Sequence, residues 1–109
     1  MYAISEEIKK INGEVAETFE REVPDGNTAL RVEAGTTGYK GGGRNSGSRA
    51  YLCIDCLCGD FHYSQVTDED GTAVGVQIAC CGDDGLNALM KALEFAHQAM
   101  NDQRCDVDD

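Results

Sequence analysis

Residues 73–96 read AVGVQIACCGDDGLNALMKALEFA and contain the clearest change of pattern in the chain. The first part, AVGVQIACC, follows an Asp-Gly turn signal and predicts the second strand of a hairpin. From Leu86 to Met100 the apolar residues recur at helical spacing, which predicts an amphipathic helix. Asp83 or Asp84 is placed to cap its first turn. This combination indicates an α+β fold.

Three more strands are predicted upstream of this unit. TALRVEA, residues 28–34, alternates charged with apolar side chains, as a half-buried strand does. AYLCIDCL, residues 50–57, predicts a second strand, and FHYSQV, residues 61–66, pairs with AVGVQIACC across the turn TDEDG. Tight hairpin connections favour an antiparallel sheet, here of three to four strands.

The N-terminal residues carry a second helical pattern. A spacing of three or four residues predicts an amphipathic helix over residues 4–21, with the apolar positions Ile4, Ile8, Ile11, Val15 and Phe19. The turn residues of VPDGN would end this helix. We therefore expect one α+β domain over residues 1–100, whose N-terminal and C-terminal helices cover one face of the antiparallel sheet. An acidic tail over residues 101–109 would follow.

The composition of the 109-residue chain excludes several classes of protein. A formal net charge of −11 argues against direct binding to nucleic acid, because one polyanion repels another. No apolar run approaches the roughly 18 residues of a membrane span, and the N-terminal MYAISEEIKK lacks the apolar segment of a signal peptide. We expect a cytoplasmic location, where the six cysteines would be free thiols.

Residues 35–49, GTTGYKGGGRNSGSR, hold six of the thirteen glycines and lie in the part of the chain that is net positive. Glycine lets main-chain N–H groups converge on an anion, and a tyrosine can stack on a nucleobase. The sequence predicts a loop that binds phosphate through Thr36, Thr37, Lys40, Gly41, Gly42, Gly43, Arg44, Ser48 and Arg49, with Tyr39 against the base. The alternative is a mobile connector, since no known phosphate-loop motif matches and no helix follows.

The cysteines and histidines support weaker hypotheses. Zinc would require four converging ligands, but Cys53 and Cys56 lie in a strand pattern without the turn that such ligands normally occupy. We interpret them and Cys80 with Cys81 as small apolar residues of the sheet, and we predict no metal site and no cofactor. His97 falls on the apolar side of the predicted helix, and nothing orients a His62–cysteine pair, so no catalytic residue is predicted.

The runs RVEAGTTGYKGGGRNSGSRAYLCI and VGVQIACCGDDGLNALMKALEFA resemble small proteins encoded by bacteriophages and prophages. The resemblance covers about residues 30–97. It implies a role in counter-defence, either by sequestering a nucleotide-derived immune signal or by blocking a nuclease complex. It also implies the host-cell cytoplasm as the location.

Two functions remain open at this point. The first is a non-enzymatic, homo-oligomeric binding protein that holds a phosphate-bearing, nucleotide-like immune signal in the glycine-rich loop. Symmetric interfaces would give such a small domain room for the site. The second is an acidic inhibitor that occupies the basic groove of a host nucleic-acid-binding defence complex, in the manner of an anti-CRISPR protein.

Overall fold

The computed structural model describes residues 4–39 and 47–107, with side chains described as far as Arg104. Within these ranges six strands precede one helix: β1 (Ser5–Ile11), β2 (Glu14–Asp25), β3 (Thr28–Thr36), β4 (Ala50–Cys58), β5 (Phe61–Thr67), β6 (Ala73–Cys80) and α1 (Gly82–Val107). Strands β1 to β4 form an antiparallel sheet in chain order, and β5 with β6 forms a separate antiparallel pair. The fold is therefore α+β, as the sequence predicts.

The predicted N-terminal helix is wrong, because residues 5–25 form the β1–β2 hairpin. Its turn is Asn12-Gly13, where both residues have positive φ, 48° and 89°. That pair is the strongest short-range signal for a two-residue hairpin turn. Ile8 and Val15 still lie on the same face of the sheet, the one that packs against the helix, because the strand register across the two-residue turn keeps them on that face. One helix, not two, covers the sheet in the described part of the chain.

The other predicted strands and the C-terminal helix are confirmed as elements, but the strands do not form one sheet, because β5 and β6 pair only with each other. TALRVEA lies in β3, AYLCIDCL in β4, and the two hairpin segments form β5 and β6. The helix begins at Gly82 and runs to Val107, so it includes most of the segment predicted as an acidic tail. Asp84 in its first turn accepts a hydrogen bond from the N–H of Asn27 at 2.9 Å, which ties the helix start to the β2–β3 turn.

The core lies between α1 and the middle of the four-stranded sheet. Leu30, Val32 and Ala34 project from β3 toward the helix and are fully buried. The helix meets them with three alanines at four-residue spacing, Ala88, Ala92 and Ala96. Small side chains on this face let the helix axis approach the sheet closely. Every large, fully buried apolar side chain in this core comes from β3.

The molecule is flat, with principal extents of 44, 42 and 17 Å. Its thickness is that of one sheet and one helix, and the β5–β6 hairpin extends beside them with nearly every residue exposed. Among the described residues no helix is both long and apolar enough to span a bilayer.

Candidate functional site

A cavity lies where the stems of the glycine-rich loop meet the C-terminal half of α1. Its volume is about 290 Å³, and its lining comes from both stems and the helix: Thr36, Gly38, Tyr39, Ser48, Ala50, His97, Met100, Asn101 and Arg104. Three residues predicted to bind ligand, Thr36, Tyr39 and Ser48, are therefore brought together. The polar helix residues that complete the lining were not predicted as ligand-binding residues.

Tyr39 and Arg104 form the rim of this cavity. Tyr39 is 72% exposed, and the guanidinium of Arg104 lies 5.7 Å from the centre of its ring. An N–H of Arg104 also donates to the Tyr39 hydroxyl at 3.3 Å, and another donates to the side chain of Asn101. A cation thus lies over an exposed aromatic ring at the entrance. Such a pair can contact a base and a phosphate at once.

The two threonines of the first stem close the base of the loop. The Thr36 hydroxyl donates to the carbonyl of Arg49 at 2.6 Å and accepts from the N–H of Gly38 at 3.1 Å. The Thr37 hydroxyl accepts from the N–H of Arg49 at 2.9 Å, and the N–H of Thr37 donates back to the Arg49 carbonyl. These bonds hold the stems together below the cavity. The threonine hydroxyls therefore stabilise the loop stems, and only their remaining hydrogen-bonding capacity is available to a ligand.

Arg49 is buried, and its guanidinium bonds main-chain carbonyls. It donates to the carbonyls of Ile11, Asn12 and Gly47 at 3.0, 3.3 and 2.9 Å. This anchors the second stem to the β1–β2 turn. The structure places Arg49 away from the cavity lining and in a structural position. The predicted residues Lys40, Gly41, Gly42, Gly43 and Arg44 lie outside the described residues, so their role stays a prediction.

A wider groove runs along the other flank of the helix, facing β1 and β2, with a volume of about 690 Å³. Phe19 and Phe95 form part of its lining, and the Arg21 guanidinium lies 6.0 Å from the Phe95 ring. Charged residues of both signs line it as well. This groove receives none of the predicted ligand residues, so volume alone does not make it the better candidate.

The face of the sheet opposite the helix carries a buried carboxylate, Glu33. It accepts a hydrogen bond from the Thr18 hydroxyl at 2.5 Å and lies 3.6 Å from the amine of Lys9. The Glu33 charge raises the pKa of Lys9, and burial raises the pKa of Tyr51 beside them. The cluster links β1, β2, β3 and β4 across one face. Its polar groups already contact one another, so we interpret it as a structural network.

The cysteines divide by environment. Cys56 and Cys80 are half-buried and pack against the core, as the apolar interpretation predicts, whereas Cys53, Cys58 and Cys81 are exposed. In the described residues no group of three or more histidine, cysteine, aspartate or glutamate side chains is placed to hold a metal ion. His97 is exposed in the cavity lining, and His62 is exposed on β5.

Burial should make the thiol of Cys80 less reactive than that of its neighbour Cys81. Burial raises the pKa of Cys80, so a smaller fraction of this thiol is present as thiolate at pH 8. The alkylation rate of Cys80 should therefore rise as the pH increases. We expect iodoacetamide to alkylate Cys80 at least about fivefold more slowly than Cys81. Mass spectrometry of a time course measures both rates. In denaturant the two rates should converge, and equal rates in the folded protein would contradict the placement.

Comparison with protein-family models, with curated proteins and with solved structures found no match to this chain.

Proposed function

We propose that this protein is a non-enzymatic binding module for a small, phosphate-bearing, nucleotide-like ligand. The observation that carries the proposal is the convergence of Thr36, Tyr39 and Ser48 with Arg104 around one cavity. These residues come from two loop stems and from a helix more than fifty positions away in sequence. Their meeting would make the loop stems one wall of the binding site, which favours that interpretation over a simple connector.

The geometry suggests how the ligand would lie. Its planar base would stack on the exposed ring of Tyr39, a contact worth about 1–3 kcal/mol where such stacking has been measured. Its phosphate would meet the Arg104 guanidinium and the hydroxyl of Ser48 at the cavity wall. At about 290 Å³ the cavity is near the lower end of ligand pockets. It therefore suits one nucleotide unit.

The anion would be held by side chains and loop N–H groups rather than by a helix dipole. The cavity lies near the C-terminal end of α1, where the helix carries partial negative charge. Arg104 in the last turns offsets that charge. Lys40 and Arg44, which lie between the two stems in sequence, are the further basic residues that we propose for this site. An acidic chain would thus present one locally basic site.

The biological setting that we propose is phage counter-defence, on the strength of the sequence resemblance alone. The ligand would then be a cyclic nucleotide or a product derived from ADP-ribose that acts as an immune signal. Sequestration requires only binding, which agrees with a site made of a ring, a cation and hydroxyl groups.

A thermal-shift screen followed by calorimetry tests the function. A ligand present at about 100 times its dissociation constant adds about 2.7 kcal/mol to the free energy of unfolding. We expect one or more members of a panel of cyclic dinucleotides, cyclic ADP-ribose isomers and mononucleotides to raise the melting temperature. Arg104→Ala should then weaken binding about tenfold or more, because it removes a charge-assisted hydrogen bond.

The matched control is Lys10→Ala, which also removes one positive charge but lies on exposed β1. It should bind like the wild type. The proposal fails if the whole panel leaves the melting temperature unchanged at micromolar protein, or if Arg104→Ala binds as tightly as Lys10→Ala.

A second candidate function is the acidic inhibitor, and one observation favours it. The β1–β2 hairpin forms one side of the sheet and carries six glutamates, Glu6, Glu7, Glu14, Glu17, Glu20 and Glu22. Such an edge could occupy a basic groove on a protein. That function predicts salt-sensitive co-purification with a nucleic-acid-binding complex and no effect of Arg104→Ala.

A further inference from the structure

Apolar side chains occupy a wider arc of α1 than the sheet of the same chain buries. With about 100° between successive residues, apolar side chains span roughly 220° of its circumference. The alanines occupy only the part that faces β3. On the flank toward β4, Leu86, Met90 and Leu93 are 54, 51 and 49% exposed. The opposite flank carries the half-buried Phe95 beside polar residues such as Lys91 and Gln98, so the exposed large apolar side chains of the helix lie on one side.

The sheet beside that flank is also apolar and uncovered. Leu52 and Ile54 project from β4 on the helix side, and Leu52 is half exposed. The β5–β6 hairpin turns one face toward the same space, and this face includes Phe61, Tyr63 and Ile78. Between β4 and the hairpin lies a groove of about 620 Å³. No other described strand pairs with the outer edge of β4.

These elements form one continuous surface, which we call the apolar surface. Its ten defining side chains are uncharged: Leu52, Ile54, Cys56, Phe61, Tyr63, Val76, Ile78, Leu86, Met90 and Leu93. Cys53 and Asp55 also border the groove, and Asp55 is paired with Arg31. The apolar surface has a ridge, the helix flank, and a groove, the space between β4 and the hairpin. A surface that carries both can be complementary to itself around a two-fold axis.

The dimensions of the chain indicate how much surface is left to cover. Its accessible surface is 7316 Å², against about 5,900 Å² for a compact monomer of this mass, an excess of about 1,400 Å². Its radius of gyration is 15.5 Å, where a compact domain of this length has about 13 Å. A stable interface takes about 800 Å² from each partner. The excess is therefore enough for one full interface.

We propose that two copies of this chain pack their apolar surfaces together, with the helix flank of each copy in the groove of the other. A second copy fits better than a foreign protein, because the surface supplies both the ridge and the groove. The six glutamates of the β1–β2 hairpin lie on the two strands away from β4 and so stay outside this contact.

The dimer would also complete the cavity. His97 follows Leu93 by four residues and lies on the same flank of α1 while lining the cavity. A copy seated on that flank would border the opening and enlarge the site. This last consequence rests on the proposed function, whereas the dimer itself does not.

Sedimentation equilibrium or light scattering across a concentration series tests the interface. The wild type should have twice the 11.7 kDa mass of the chain at micromolar concentration. Leu93→Lys should weaken dimerisation about 100-fold, because it places an unpaired charge in a desolvated contact. The matched control is Gln98→Lys, which adds the same charge to an exposed position on the polar flank of the same helix. It should leave the dimer intact.

Tyr63→Lys gives a second variant on a different element. Tyr63 is 73% exposed on the projecting hairpin, so the change should spare the fold of the chain, checked by circular dichroism, and weaken the dimer. A monomeric wild type would overturn the proposal, and so would a dimer that neither Leu93→Lys nor Tyr63→Lys weakens. If a variant is unfolded, hydrogen exchange of the wild type decides. Protection of residues 86–97 and 61–66 should fall on dilution, and unchanged protection would overturn the proposal.

Ligand binding and dimerisation can fail separately. A wild type that binds nucleotide as a monomer would retain the function and reject the interface. A wild-type dimer that Leu93→Lys disrupts, but that binds nothing in the panel, would retain the interface and reject the function.

Discussion

Replacing Gly35 with alanine is expected to destabilise the protein by about 3–5 kcal/mol, one of the two largest effects that we predict. A Cβ atom at this position would lie 2.1 Å from the carbonyl oxygen of Glu17 and 2.8 Å from the Cα atom of Thr18. Both atoms belong to the main chain of β2, so no side-chain rotation relieves the overlap. The end of β2 would have to separate from β3.

That separation would break further contacts. The Gln103 side chain spans this end of the sheet, accepting from the N–H of Thr36 and donating to the carbonyl of Glu17, each at 2.9 Å. Moving β2 away from β3 breaks at least one of these bonds. The helix end, the loop stem and the β2 strand would therefore loosen together.

Urea unfolding of the wild type and Gly35→Ala measures the effect. Gly75→Ala is a matched control, since Gly75 also lies in a strand and a Cβ there would meet only Val66 side-chain atoms, the nearest at 3.6 Å. It should change the free energy of unfolding by less than about 1 kcal/mol. A Gly35→Ala variant within that same limit would contradict the close approach of β2.

The close packing at Gly35 shows a feature that residue composition alone cannot predict. In the sequence this glycine is the first of six in a loop-like stretch, and all six look alike. In the structure it is the last small residue of β3, required by β2 and not by a ligand. Which neighbouring strand requires a glycine depends on how the strands pair, and no local sequence pattern predicts that pairing.

The N-terminal hairpin shows a different kind of ambiguity. Apolar residues at spacings of three and four fit a helix, but they also fit two strands joined by a two-residue turn. Asn12-Gly13 separates the two alternatives, because both residues take positive φ. The later strands and the C-terminal helix had no such competing pattern. Their existence and type could be predicted, and the helix end could not, because Gln103 and Arg104 are held by contacts with distant residues.

The candidate site could be predicted only from the loop side. Tyr39, Thr36 and Ser48 stand in a conspicuous glycine-rich stretch, whereas Arg104 belongs to a polar segment with the composition of a tail. The contact between Tyr39 and Arg104 joins positions 65 residues apart in the chain. Side-chain chemistry identified three of the nine residues that line the cavity. The sheet and helix geometry supplied the rest.

Arg49→Met is expected to cost about 3–4 kcal/mol of the free energy of unfolding, the other large effect. Methionine keeps much of the apolar stem but leaves the carbonyls of Ile11, Asn12 and Gly47 without their charged donor. The bond to the Gly47 carbonyl is buried and the other two are partly buried. A carbonyl shielded from water and left without a partner is costly, and hydrogen bonds to charged groups are the stronger kind. The loop stem would lose its attachment to the β1–β2 turn.

Urea unfolding again measures the loss, with Arg31→Met as the matched control. Arg31 is partly exposed, and its main partner, Asp55, is also partly exposed, so its removal should cost much less than the removal of Arg49. Equal effects of the two substitutions would contradict a structural role for Arg49. The result also bears on function. If Arg49 positions the loop rather than touching a phosphate, Arg49→Met should lower the melting temperature with or without ligand. Arg104→Ala should weaken binding and lower the unliganded stability less than Arg49→Met does, because the contacts of Arg104 are exposed.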